Sequence, residues 1–251
     1  MRTGVRNAGL VLAASCFALA GIIDSGIPAG AAEAAGSSAV VTALSPSVIE
    51  APRTAAGAVA EPSFGVMTDP RDKKTYKTVV IGTQTWMSEN LNFMTKKGSF
   101  AFNKEEQHAG TYGRLYYWET AMDKSKSSNA VPSGVQGVCP DGWHLPSDAE
   151  WGMLENYLGG VAVAGGKMKE AGSAHWVAPN AGADNSSGFT ALPGGFSNFI
   201  YNGLGTAGCF WSSTEGASKM AWVHILTNTS AGVDRYNYGK SGTYSVRCVQ
   251  N

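Results

Sequence analysis

The stretch Cys139-Pro140-Asp141-Gly142-Trp143-His144-Leu145-Pro146-Ser147-Asp148-Ala149-Glu150-Trp151 carries the clearest local signal in the chain. Ser147 stands where a helix N-cap belongs, and Glu150, three residues on, can return a hydrogen bond to it, the capping-box arrangement. Trp151, Leu154 and Leu158 then recur on one helical face, and Gly159-Gly160 supplies the stop. This spacing predicts a helix from just after Ser147 to about Leu158.

Upstream, Thr75-Tyr76-Lys77-Thr78-Val79-Val80-Ile81 is β-branched and aromatic, Gly82-Thr83-Gln84 reads as a turn, and Thr85-Trp86-Met87 resumes extended character, so a hairpin is expected. Gly113 to Met122 places Leu115, Trp118 and Met122 on one face and is expected to be helical. Asp123 to Gly137 reads as a polar loop. Phe210 to Thr214, Met220 to Leu226 and Tyr244 to Val249 read as strands, with Asn- and Gly-rich loops between them. Gly accounts for 32 of 251 residues, nearly twice the average of about 7%, which favours a turn-rich α+β fold over a helical bundle.

The N-terminal quarter has a different character. Arg2 and Arg6 precede an uncharged apolar run from Ala8 to Ile23, and Ala29-Gly30-Ala31 has the small-x-small pattern of signal-peptidase sites. That run is short beside the roughly 20 residues a bilayer span needs. Residues 1–31 therefore read as a secretory signal, and no membrane span is expected after its cleavage. Ala13-Ala14-Ser15-Cys16 loosely resembles a lipoprotein box but has Ala where Leu is usual, so lipid anchoring at Cys16 is the weaker alternative. Residues 32–67 are rich in Ala, Ser, Gly and Pro and nearly devoid of aromatics, the composition of a flexible tether. The folded body is expected over 68–251.

Removing residues 1–31 takes Arg2, Arg6 and Asp24 from 19 basic and 19 acidic residues, leaving a formal charge of −1. Such a balance argues against a nucleic-acid partner or a polybasic membrane patch. Cys139, Cys209 and Cys248 then remain, an odd count from which spacing alone selects no pair.

The blocks described so far follow an order that resembles the Fibrobacter succinogenes major paralogous domain family. It runs from Tyr76-Lys77-Thr78-Val79-Val80-Ile81-Gly82 through Trp86-Met87-Ser88-Glu89-Asn90-Leu91-Asn92, Tyr112-Gly113-Arg114-Leu115-Tyr116 and Cys139 to Trp151. Gly188-Phe189-Thr190-Ala191-Leu192-Pro193-Gly194-Gly195, Trp211-Ser212-Ser213-Thr214 and Ser245-Val246-Arg247-Cys248-Val249 complete the series. The resemblance implies an exported protein with a C-type lectin-like fold, in which two helices flank small antiparallel sheets with long loops. It also implies a disulfide between Cys139 and Cys248, leaving Cys209 as a buried free thiol. Phe196-Ser197-Asn198 departs from the basic residue that relatives often carry after the Pro-Gly-Gly block.

His108, His144, His175 and His224 show no metal-ligand spacing, and no metal or cofactor is expected. Ala178-Pro179-Asn180 and Trp211-Ser212-Ser213 stand where calcium-dependent lectins carry acids and amides, which disfavours calcium-bridged sugar binding. Asp184, Asn185 and Glu215 leave a structural ion open. No nucleophile elbow, nucleotide loop or zinc-protease motif occurs, so a non-catalytic protein is expected. Of the seven tryptophans, Trp86, Trp118, Trp143, Trp151 and Trp211 belong to the family blocks and are expected in the core.

The candidate ligand-binding residues lie outside those blocks: Asn198, Phe199, Tyr201 and Asn202 in one expected loop, Asp234, Arg235, Tyr236 and Tyr238 in another, and Trp222 and His224 on the adjoining strand. Aromatics mixed with amides give broad contact and adaptable hydrogen bonds. The expectation is a secreted or surface-associated recognition module for a glycan or a cell-surface protein. The alternatives are a structural envelope or matrix component, and a relative of the formylglycine-generating oxidases.

Overall fold

The computed structural model describes residues 62–251; the expected signal peptide, Cys16 and nearly all of the expected tether lie outside the described residues. The first strand, β1 (Ser63–Thr68), begins five residues before the expected start of the body, so residues 63–67 belong to a sheet and not to the tether. It pairs antiparallel with β2 (Thr75–Ile81), which turns at Gly82 (φ 62°) into β3 (Gln84–Met87). A positive φ of that kind suits glycine, which has no Cβ to clash. This is the hairpin the sequence predicts.

The chain continues through β4 (Ser99–Phe100), a single 3-10 turn, α1 (Glu106–Tyr112), β5 (Leu115–Tyr117) and α2 (Trp118–Met122). In the expected helix over 113–122, Leu115–Tyr117 is thus strand and only Trp118–Met122 is helical. Leu115 to Tyr117 hydrogen-bond to residues near the C-terminus, and that non-local pairing overrides the local helical period. After β6 (Trp143–His144) comes α3 (Asp148–Tyr157), with the capping box present: the Ser147 hydroxyl accepts from the Glu150 N–H at 3.1 Å and Glu150 accepts from the Ser147 N–H at 2.9 Å. A short α4 (Val161–Met168) packs beside it.

The remainder is β: β7 (Gly194–Asn198), β8 (Ile200–Leu204), β9 (Ala207–Glu215), β10 (Met220–Thr227), β11 (Asp234–Gly239), β12 (Thr243–Ser245) and β13 (Val249–Gln250). The described residues form two sheets. One has five strands in the order β1-β2-β3-β13-β6; the other has eight, running β11-β10-β9-β7-β12-β5-β4 with β8 on β7. The expected α+β, C-type lectin-like architecture is therefore corrected to a mostly β fold. Among the described residues the longest helix has ten residues, and many segments read as loops are paired strands.

The core falls into two clusters. One surrounds the Cys139–Cys248 disulfide and includes Trp118, Trp143, Trp211 and Tyr244; the other gathers Trp86, Trp151, Trp176, Phe189 and Phe210. All five tryptophans expected in the core are buried, and Trp176 joins them. Buried indoles need an acceptor. Trp118, Trp176 and Trp211 donate to the carbonyls of Ser212, Ala191 and Tyr116 at 3.0, 2.9 and 2.8 Å. Cys209 is the free, buried cysteine, as expected.

Candidate functional site

The expected contact residues divide by strand alternation. The segment 234–238, read as a loop, is the edge strand β11, paired with β10 in the register Val223↔Tyr236 and Ala221↔Tyr238. Side chains two apart share a face. Asp234, Tyr236 and Tyr238 therefore point one way, and Arg235 points the other, with its cross-strand partner His224 and with Trp222.

On the second face these side chains serve the fold. His224 is 1% exposed and is corrected from a contact residue to a core one. Its Nδ1 lies 2.6 Å from Glu155, its Nε2 is 3.2 Å from Asp148, and its ring stacks on Trp151 with centroids 4.9 Å apart. Burial opposes the imidazolium, but Asp148 and Glu155 outweigh it and raise the pKa of His224. Burial also acts on Asp148, yet His224 and Arg235 hold its pKa down, at about 2. Arg235 completes the set: it grips Asp148 through two nitrogens and lies 3.4 Å over the Trp222 ring. Trp222 and Arg235 thus cap a buried charge network between β10 and α3.

The first face is different. Tyr236 is 47% exposed, and its ring meets that of Tyr238 at 6.1 Å. Tyr238 and Phe196 each lie 5.8 Å from the buried ring of Tyr244, so β11 and the β7–β8 hairpin are joined by aromatic contacts. At the hairpin tip Asn198 pairs with Ile200, which leaves Phe199 alone in the turn at φ 69°. Phe199 is 91% exposed and Ile200 70%. Asn198 and Asn202 are exposed beside them, while Tyr201 is half-buried against Phe102 at 5.2 Å. Tyr244 thus links Tyr238 to Phe196 of the hairpin, whose exposed tip carries Asn198, Phe199 and Asn202, while Asp234 and Tyr236 share the Tyr238 face of β11 and Trp222, His224 and Arg235 lie on the other.

One feature escapes sequence reasoning. From Tyr201 a line of ring contacts runs through Phe102, His108 and Tyr112 to His175, at 5.2, 5.8, 6.1 and 5.8 Å. His175 lies 2.9 Å from Glu170, which lines a cleft of about 550 Å³. These residues come from segments up to about a hundred positions apart, and no spacing links them.

Asp184, Asn185 and Glu215 do not converge. Asp184 caps the Ser186 N–H, Asn185 bonds to Thr190, and Glu215 pairs with Lys240. Among the described residues no group of three His, Cys, Asp or Glu side chains is arranged to hold a metal ion.

A family model described as the Fibrobacter succinogenes major domain matches residues 79–250. The chain belongs to the Fibrobacter succinogenes major domain family. The match runs from Val79 within β2 to β13 and covers the second core cluster and all the buried residues of the first except Tyr76. It includes Cys139 and Cys248, whose bridge has an S–S distance of 2.03 Å. Neither curated proteins nor solved structures give a significant match to this family member. Among its described residues no helix is long and apolar enough to cross a membrane.

Proposed function

We propose that this protein is a non-catalytic recognition module, exported to act in a secreted or cell-surface setting, which binds a glycan or a surface protein through the β7–β8 hairpin tip and the Tyr236 face of β11. The observation that carries this reading is Phe199. A side chain with a Cβ in the left-handed region is strained by roughly 1–3 kcal/mol, and such strain concentrates at functional positions. An exposed phenyl ring adds unfavourable hydration. A turn serving only to reverse the chain would accept Gly or Asn there without either penalty. Asn198 and Asn202 beside the ring add donors and acceptors that suit a polar partner.

Catalysis gains no support from the cysteines. Two are joined to each other, and Cys209 is buried with its thiol pKa raised by burial, which suppresses the reactive thiolate.

The test is binding of the full chain to a panel of polysaccharides and envelope proteins, with and without a calcium chelator. Saturable binding that survives chelation and is weakened at least tenfold by Tyr236→Ala supports the reading. Binding that Tyr236→Ala leaves unchanged would move the contact face elsewhere.

A further inference from the structure

The cleft at the end of the aromatic line is lined by Lys73, Lys74, Lys77 and Arg247 against two carboxylates, Glu89 and Glu170. Part of that charge is already paired. Lys74 lies 3.2 Å from Asp72 and donates to the Asn92 carbonyl, and Glu170 is held by His175. Lys73 and Lys77 are exposed, and neither makes an ion pair among the described residues.

Arg247 lies under the floor, fully buried, and its partners are neutral. Its guanidinium donates to the Asn90 side-chain oxygen at 3.0 and 2.8 Å and to the Phe189 carbonyl, and lies 4.2 Å from the Phe189 ring centroid. Burial lowers its pKa, to about 9, which leaves it cationic at neutral pH. No carboxylate hydrogen-bonds to it, and Glu89 on the lining acts on it electrostatically, so its positive field reaches the cavity partly offset by that carboxylate, where low dielectric weakens screening.

The rim backbone also carries a positive φ, as Lys104, Lys124 and Lys219 do elsewhere in the described residues. Lys73 sits at φ 63°, a conformation glycine adopts without strain. The sequence nonetheless holds a long cation there, on the cleft lining.

The rest of the lining narrows the ligand. The Thr190 hydroxyl is already held by the Gly188 carbonyl and Asn185, while Thr75, Ser88 and Thr111 offer hydroxyls and Glu89 and Glu170 offer acceptors. Those acceptors would repel a compact dianion such as phosphate but can receive hydroxyl donors. One negative group for the lysines and several hydroxyls for the acceptors together describe an acidic sugar. We propose that this cleft is a binding site for a carboxylate-bearing saccharide unit, with Lys73 and Lys77 meeting the carboxylate, Arg247 supplying field from below, and Glu89, Thr75 and Thr111 meeting the hydroxyls. The site uses none of the hairpin or β11 residues, so it stands or falls separately from the contact face proposed above.

The experiment is a calorimetric or NMR titration of the full chain with D-glucuronate, D-glucose and inorganic phosphate. Glucuronate should bind saturably at millimolar concentration, at least tenfold tighter than either of the others, and weaken as salt screens the lysines. Lys73→Gly relieves the backbone strain, so its thermal stability should hold, while Lys73→Gly with Lys77→Ala should lower affinity about tenfold, the equivalent of 1.4 kcal/mol. Glucose binding as well as glucuronate would show that charge is not read. Phosphate binding as tightly would show a plain anion site. No saturation below about 50 mM glucuronate, a free energy weaker than about −2 kcal/mol, or an unchanged double variant, would overturn the proposal outright.

Discussion

Removing the Cys139–Cys248 bridge should destabilise the domain by several kcal/mol. The two residues are 109 positions apart and both are fully buried in the same core cluster. In the chain-entropy model, releasing a loop of that length returns about 4.7 kcal/mol of conformational freedom to the unfolded state. Its position adds to the effect. Cys248 lies between β12 of the larger sheet and β13 of the smaller one, so the bridge fixes the chain where it passes from sheet to sheet. For a domain of this size each kcal/mol moves Tm by about 2–4 °C, which gives a fall of roughly 10–20 °C. Urea unfolding of the oxidised protein, the reduced protein and the Cys139→Ala/Cys248→Ala variant measures it. Reduction and substitution should agree to within the loss of packing of the two sulfur atoms. A loss below about 1 kcal/mol in both would refute the reasoning and mean that the unfolded chain is already constrained over this span.

Three further outcomes follow from the buried groups. His224 and His144 both have raised pKa values in the fold, because neighbouring carboxylates outweigh burial. Their contribution should therefore be complete below about 6.5, the unfolded value, and fade as pH rises through the folded pKa; urea midpoints at pH 5.5 and 8.5 test this, and His224→Gln should reduce the slope. Asp148, held at about 2, contributes in the opposite sense: its share is present above about 3.9 and lost as pH falls towards 2, so acid titration of Arg235→Gln should unfold at higher pH than the parent. Cys209 should resist thiol reagents at neutral pH in the folded protein and react fully once the chain is unfolded, since it is buried and its thiolate is disfavoured.

What the sequence made legible was local. The capping box at Ser147 and Glu150 and the turn at Gly82 depend on residues within a few positions, and both stand as expected. Of the helix expected over 113–122 only Trp118–Met122 is helical, because Leu115 to Tyr117 are claimed by Thr243 to Ser245, more than a hundred residues away. The segment 234–238 was masked by its Asp and Asn content, although its Tyr236–Tyr238 alternation has the period of a strand. That error also shaped the expected site: a loop could have turned Arg235 and Tyr236 to one partner, but a strand cannot. The cleft was illegible for a different reason. Lys73 to Lys77, Glu89, Glu170 and Arg247 are brought together only by the assembled sheets, and nothing local to Arg247 announces its burial.

The account rests most heavily on Phe199, and Phe199→Gly tests it directly. Glycine relieves the left-handed strain while adding unfolded-state entropy, so stability should stay within about 1 kcal/mol of the parent. Thermal unfolding and binding to the panel ligand should be measured on the same samples. The account predicts an unchanged Tm with binding reduced at least tenfold. Unchanged binding with a raised Tm would show that the exposed ring at the hairpin tip makes no contact, and would contradict the central claim.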